Sequence, residues 1–338
     1  TALRHRGRQQ AGDRMSVEVN VVGMRCGAKN GGLSCTMCYE SPLVSKGYPL
    51  PTVDLPAVKK TVERLVGERK GGSFSLFGGE PLLAPLDVLE DLWRWGLEKY
   101  GRNGVQTSGR PIRDEHWPLF RKYKVCVSFS IEGPGELNDA RWAGTLERTR
   151  EATAHSVACL ERCMRERMPT GLIVTLSRHN ASPERLPRLL EWFSDLDGRG
   201  GLYGVGLHLL QHERRAASIA LSPRENLDAL LAIRRHEVWR LRTLEFGLFK
   251  DILALLRGKD EWEWNDGSPA GVGCTWAGCD PATTPAVQGV EPDGSGRSAQ
   301  GSTGRRRRGA RRPRARRCGS SCCAQRRKKR AAARGAAR

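Results

Sequence analysis

Apolar and polar residues alternate with period two in six short stretches: Val17–Val22, Ser73–Phe77, Gly104–Thr107, Val125–Ser130, Gly171–Leu176 and Gly204–Leu210. That period, with many β-branched residues, predicts strands. Between them apolar residues recur every three to four positions over 55–69, 85–99, 145–166, 182–196 and 222–240, with a shorter stretch near 114–122. This second period predicts amphipathic helices. Asp54, Ser182 and Ser222 stand where N-caps belong, with Pro or a helix former behind each.

Strands that alternate with helices predict a parallel sheet, because a parallel pair needs a long crossover connection. The expected fold class is α/β: a partial (βα)6 TIM-like barrel, with a short cysteine-containing C-terminal extension and a disordered basic tail. In such a fold the chemistry gathers at the C-terminal ends of the strands. The loop holding Cys26, Cys35 and Cys38, the run Phe77–Pro81, Thr107–Gly109 and Ser130–Pro134 all fall at such ends. They predict a single catalytic mouth.

Composition divides the chain further. Residues 1–14 read as a disordered leader, with Met15 as the natural start. Residues 15–240 read as the barrel, 241–296 as the extension and 297–338 as the tail. The net charge is +20, but 14 Arg and two Lys, with no acid, lie between Gly301 and Arg338. The basic balance therefore belongs to the tail and says little about the domain. The first residues are polar and basic without an apolar core of a signal peptide, and no stretch approaches a membrane span. A cytoplasmic chain without a membrane partner is expected.

Cys26-x8-Cys35-x2-Cys38 supplies three thiols from one Gly-rich loop. Three ligands can hold a four-iron cluster and leave one iron open for chemistry. A zinc site would want a fourth ligand in tetrahedral array, and no His or further Cys lies in the loop. Among the other cysteines, Cys126 reads as a small buried hydrophobe on its strand. Cys159 and Cys163 read as core or surface thiols on one helical face.

These residues resemble the radical S-adenosylmethionine (radical SAM) superfamily, with the likeness running from about Val17 to Leu210. The resemblance implies that Cys26, Cys35 and Cys38 bind a [4Fe–4S] cluster whose fourth iron is chelated by SAM. The commonest spacing in that family is C-x3-C-x2-C. The first gap here is eight, and Met37 replaces the usual aromatic before the third cysteine, with Tyr39 one place beyond. Longer first gaps occur in the superfamily and narrow the subfamily.

Phe77-Gly78-Gly79-Glu80-Pro81 resembles the family's GGE motif, which implies contact of Gly78, Gly79 and Glu80 with the SAM amino group. Glycines expose backbone carbonyls to an ammonium, and a carboxylate adds a charged acceptor. Gln106-Thr107-Ser108-Gly109 resembles the third-strand TNG element, with Ser108 in place of Asn. Val127–Pro134 resembles the fourth-strand SxSxDGP element of the peptide- and protein-modifying branch. By that resemblance Ser128 and Ser130 reach the ribose or carboxylate of SAM, and Arg141 is a candidate carboxylate clamp. The implied reaction is reductive SAM cleavage to methionine and a 5′-deoxyadenosyl radical that abstracts hydrogen from a peptide or protein side chain. An external flavodoxin- or ferredoxin-like electron donor is implied as well. An alternative is the same chemistry on a small metabolite.

Cys274 and Cys279 begin a segment that resembles the opening of a SPASM-type domain, which implies an auxiliary [4Fe–4S] cluster. That pattern expects a cysteine at position 299, where the chain has Ala299. The stretch from Gly301 to the end is rich in Arg, Ala, Gly and Pro and has almost no apolar residue, a composition that cannot form a core. One reading is a basic tail for nucleic acid or anionic surfaces. No helix or strand with interleaved aromatic and basic residues supports nucleic acid as a partner within 15–290. The preferred reading is a frame slip in a GC-rich gene between about Asp293 and Gly304. Resequencing the coding DNA across these codons is expected to reveal the slip, and an intact frame overturns it.

Overall fold

The computed structural model describes residues 16–22, 26–27, 32–38, 52–66, 73–202, 204–210, 214–257, 288–290, 293 and 296–298. The leader, Cys274, Cys279 and the Arg-rich tail lie outside them. All six predicted strands are present: β1 (Ser16–Val19), β3 (Ser73–Leu76), β4 (Asn103–Thr107), β5 (Val125–Ser130), β7 (Thr170–Leu176) and β8 (Gly204–Leu209). They pair in parallel in that order. The result is the α/β half-barrel that the alternation predicts. Between the strands run α1 (Leu55–Val66), α2 (Leu86–Tyr100), α3 (His116–Lys122), α4 (Leu146–Arg165), short α5 (Arg178–Ala181), α6 (Leu186–Arg199) and, after β8, α7 (Pro223–Arg240).

Period two sorts each strand into two faces. Val17, Val19, Phe74, Leu76, Val105, Val127, Phe129, Leu172, Val174, Val205 and Leu207 are buried in the core. The helices bring Val58, Val62, Leu89, Leu92, Trp93, Leu189 and Phe193 to the same cluster. The intervening positions, Glu18, Ser75, Gln106, Cys126, Ser128, Ile173 and Thr175, are half-buried. They form the concave face of the half-barrel, so Cys126 is a half-buried thiol there and not the core hydrophobe expected. Cys159 and Cys163 are buried in the core.

Local signals place most ends. Asp54 accepts from Ala57 N at 3.0 Å, and Ser222 and Glu225 close a capping box. Gly101 ends α2 in the left-handed region at φ 72°, where a side chain is disfavoured. Ser182 is the exception. It stands at the C-cap of α5, whose own N-cap is Ser177, and α6 starts only at Leu186. Its extended backbone still accepts from Leu186 N at 2.8 Å, so the turn from Pro183 that leads into α6 starts at Ser182.

Several elements escape the periodicity. The two-residue strands β2 (Ser34–Cys35) and β6 (Arg141–Trp142) pair antiparallel. A segment bridges Phe246 to Val205 beside β8, and α8 (Gly247–Leu256) comes directly after it. Phe246 is fully buried against Phe193, ring centroids 5.0 Å apart. β9 (Gln288–Val290) lies parallel to the other edge at β1, and β10 (Gly296–Ser298) folds back antiparallel on β9. The strand pieces among them are too short for a period to be read. Among the described residues no helix is long and apolar enough to cross a membrane.

Gly96 offers a test of packing against propensity. A Cβ there would run into Asn103 Oδ1 and lie 2.5 Å from the Phe74 ring. Helix propensity alone favours Ala by about 1 kcal/mol. Overpacking of a core that cannot yield costs about 1–3 kcal/mol. Gly96→Ala is therefore expected to lower the midpoint of urea unfolding, and a raised midpoint would show that Asn103 and Phe74 can move aside.

Candidate active site

The parallel ladder brings the C-terminal ends of β1, β3, β4, β5, β7 and β8 to one rim, and the expected motifs meet there. Glu80, just past β3, is 2% exposed. It accepts from Thr107 Oγ1 at 2.6 Å, Ser108 N at 3.0 Å and Ser108 Oγ at 2.5 Å. Burial nevertheless pushes its carboxyl above the usual range, with the Ser108 and Thr107 bonds opposing. Glu80 thus locks the Gly78–Gly79 turn to the end of β4. Both glycines have positive φ, 76° and 46°. A Cβ on Gly78 would lie 2.6 Å from the Asn20 side chain, so Gly78 also lets Asn20 sit against the turn.

Ser130 is buried at the end of β5 and accepts from Gln106 Nε2 at 3.2 Å. Ser128, two residues earlier, shares the concave face, where a Cβ on Gly171 would meet its Oγ at 3.0 Å. Gly171 and Gly204 are paired in register beside it, so neither strand brings a side chain to that rung. His208 and Thr175 are paired in register nearer the rim.

The cysteine loop folds over this rim. Gly32 N donates to Gly27 O at 3.1 Å and Cys38 N to Cys35 O at 3.2 Å. Cys26 Sγ donates to Leu33 O at 3.3 Å. Arg110, just past β4, donates to Gly32 O and so ties the loop to the barrel. The three thiols are half-buried, unbridged and close enough to act on one another's charge. Burial, together with the charge of Glu80, pushes Cys26 up to about 11, and burial pushes Cys35 higher, with Arg141 opposing. Metal ligation is what would release these protons.

Among the described residues no three of His, Cys, Asp or Glu are gathered tightly enough to hold one metal ion. Four-ligand zinc wants sulfurs about 3.8 Å apart, given Zn–S bonds of about 2.3 Å. Cluster ligands each serve a different iron and stand further apart. Three thiols on one loop, with a guanidinium beside them, fit that donor set.

Arg141 and Glu132 complete the site. Glu132 is fully buried and takes both Nε and Nη2 of Arg141, the latter at 2.8 Å, while Nη1 stands 3.7 Å from Cys35 Sγ. Burial disfavours the Arg141 charge, but the Glu132 carboxylate and Cys35 more than compensate and hold its pKa above the ordinary value. Sequence reasoning does not single out Glu132, although it lies inside the strand-end run Val127–Pro134. An acid between an apolar residue and a glycine at a strand end is the available signal. Asn20 and Arg110 carry no such signal.

The concave face also holds Glu18, whose carboxyl burial pushes up to about 7 from an ordinary 4.5. Folding therefore favours the protonated form. Its contribution to stability is full below about pH 4.5 and is lost as pH rises through 7, by on the order of 3 kcal/mol. Glu18→Gln is expected to flatten this part of the pH profile and to stabilise the chain at pH 8, read by urea unfolding. An unchanged slope between pH 4.5 and 7 would show that Glu18 is solvated.

The chain is similar to several known proteins. A Cysteine-type anaerobic sulfatase-maturating enzyme of Clostridium perfringens is 32% identical over 120 residues, covering 32% of this chain and 31% of that protein. A Serine-type anaerobic sulfatase-maturating enzyme of Bacteroides thetaiotaomicron is 29% identical over 132 residues, covering 36% of this chain and 30% of that protein. The aligned part thus spans about a third of these curated relatives. The fold is similar to a solved structure described as native anSMEcpe with bound AdoMet and Cp18Cys peptide. That likeness has a TM-score of 0.56 at 18% identity and covers 85% of this chain and 74% of that one. The description "Radical SAM superfamily" belongs to the family model that matches residues 28–193, a span that takes in Cys35, Cys38 and the strand-end motifs and starts just after Cys26. This chain carries a radical SAM domain.

Proposed function

We propose that the protein is a maturase-type radical SAM enzyme acting on a side chain of a peptide or protein. The observation that carries this reading is the three-thiol loop folded over the rim where the GGE-like turn, Thr107–Ser108 and the β5 serines meet. When bound, a [4Fe–4S] cluster on Cys26, Cys35 and Cys38 together with SAM supplies reductive cleavage to methionine and a hydrogen-abstracting 5′-deoxyadenosyl radical. The relatives are named for sulfatase maturation, and the similar fold has been solved with AdoMet and a peptide, which favours a protein-derived substrate over a small metabolite.

The chain's own residues bind and orient. Glu80 anchors the Gly78–Gly79 turn so that its backbone carbonyls are available to an ammonium. Ser128 and Ser130 offer hydroxyls on the concave face to ribose or carboxylate oxygens. The buried sheet behind this face excludes water and so strengthens each polar contact. Cys274 and Cys279 would serve an auxiliary cluster, and an external flavodoxin- or ferredoxin-like protein would deliver electrons.

The test is anaerobic reconstitution with iron and sulfide, reduction with SAM present, and assay of 5′-deoxyadenosine beside a Cys26/Cys35/Cys38→Ala triple variant. Product is expected with the unaltered chain and only background with the variant. A reconstituted chain that holds no four-iron cluster would overturn the reading.

A further inference from the structure

Glu132–Arg141 is the least exposed ion pair among the described residues, with side chains 0% and 13% exposed. Burying such a pair rarely stabilises a fold over an apolar substitute. Its place in the molecule points to another use. β2 and β6 form a ladder of two rungs, and one rung pairs Cys35 with Arg141. Thr36 N donates to Ala140 O at 2.8 Å and extends the tie. Residues facing each other in an antiparallel pair have Cβ atoms about 5 Å apart. The backbone thus fixes a cation opposite the middle cysteine of the loop.

Glu132 then decides where that cation points. Its carboxylate fills the side-on face of the guanidinium, which turns Nη1 toward Cys35 Sγ. Glu132 is itself held on several sides. Its backbone N–H donates to Asn138 Oδ1 at 2.9 Å, its carbonyl accepts from Asn180 Nδ2 at 3.0 Å, and Thr175 N lies 3.4 Å from Oε1. Asn138 is fixed in turn by donation to Thr153 Oγ1 at 3.0 Å. The planar fork of Arg suits such a fixed geometry, and Lys does not.

We propose that Arg141, aimed by Glu132, is a positioning residue for the cluster: it donates an N–H to the Cys35 sulfur and keeps a fixed positive charge beside the loop. Hydrogen bonds to ligand sulfurs and local net charge set the potential of an iron–sulfur cluster. Arg141 therefore makes the cluster easier to reduce, a role distinct from clamping the SAM carboxylate. This inference rests on the proposed binding of a cluster by Cys26, Cys35 and Cys38.

The test compares the reconstituted full chain with Arg141→Gln and Arg141→Lys. Iron and sulfide content is measured first, and then an EPR-monitored redox titration is run without SAM. The expected result is a more negative midpoint potential in Arg141→Gln at full cluster content. Arg141→Lys keeps the charge but cannot serve Glu132 and Cys35 together, so it should shift the same way by less. An unchanged potential in a fully loaded Arg141→Gln overturns the proposal, and weakened SAM binding alongside it would return Arg141 to the SAM carboxylate. If Arg141→Gln fails to load, Arg141→Lys decides, and a potential equal to that of the unaltered chain overturns the N–H donation. An unaltered chain that takes up no four-iron cluster would sink the proposed function itself, a different outcome from either.

Discussion

A carboxylate removed from water must find donors or lose its charge, and two such groups organise the rim of this half-barrel. Glu80 and Glu132 are 2% and 0% exposed. Each is too costly to bury alone. Glu80 finds Thr107 and Ser108 on the neighbouring strand, and Glu132 finds Arg141 across a tight 3-10 turn at Gly135–Asn138. The first pairing fixes the glycine turn after β3. The second fixes the segment that meets the cysteine loop as a two-rung ladder. Loop, turn and strand ends therefore hold their mutual places through two buried acids.

The parallel sheet makes this arrangement possible. Because neighbouring strands run the same way, residues at one end of each strand share one rim. The core face is filled with Val, Leu and Phe, whereas the concave face carries Glu, Ser, Gln, Cys, Thr and Gly, with Ile173 its apolar member. A face lined this way cannot close on itself as a hydrophobic core. It stays open as a polar surface against rigid backing, which suits a site that must hold a large polar ligand in one orientation.

Two cations stand near the thiols, against the carboxylates of Glu80 and Glu132. Arg141 faces Cys35, and Arg110 reaches the loop at Gly32 beside Cys26. Burial favours the protonated thiols of Cys26 and Cys35 alike. The guanidiniums offset part of that penalty for the anionic form. The loop is thus preorganised in backbone and field, while its final ligation is left to whatever supplies positive charge at the sulfurs.

Short-range physics left its mark plainly in the sequence. The two periods of apolar residues located six strands and most of the helices, because each element buries one face and repeats at its own pitch. Asp54 and Ser222 marked helix starts because a cap is satisfied within four residues. The cysteine loop and the strand-end runs at Gly78–Glu80, Thr107–Ser108 and Ser128–Ser130 could be read as one rim, since a parallel sheet allows them no other place. The partners of those residues could not be read. Ser177 capped a short helix of its own before Ser182, Glu132 took the fork of Arg141, Asn20 came to lie against Gly78, and β9 and Phe246 joined opposite edges of the sheet. Each outcome depends on a contact between distant segments, and which buried group is left needing a donor is decided only when the sheet has closed around it.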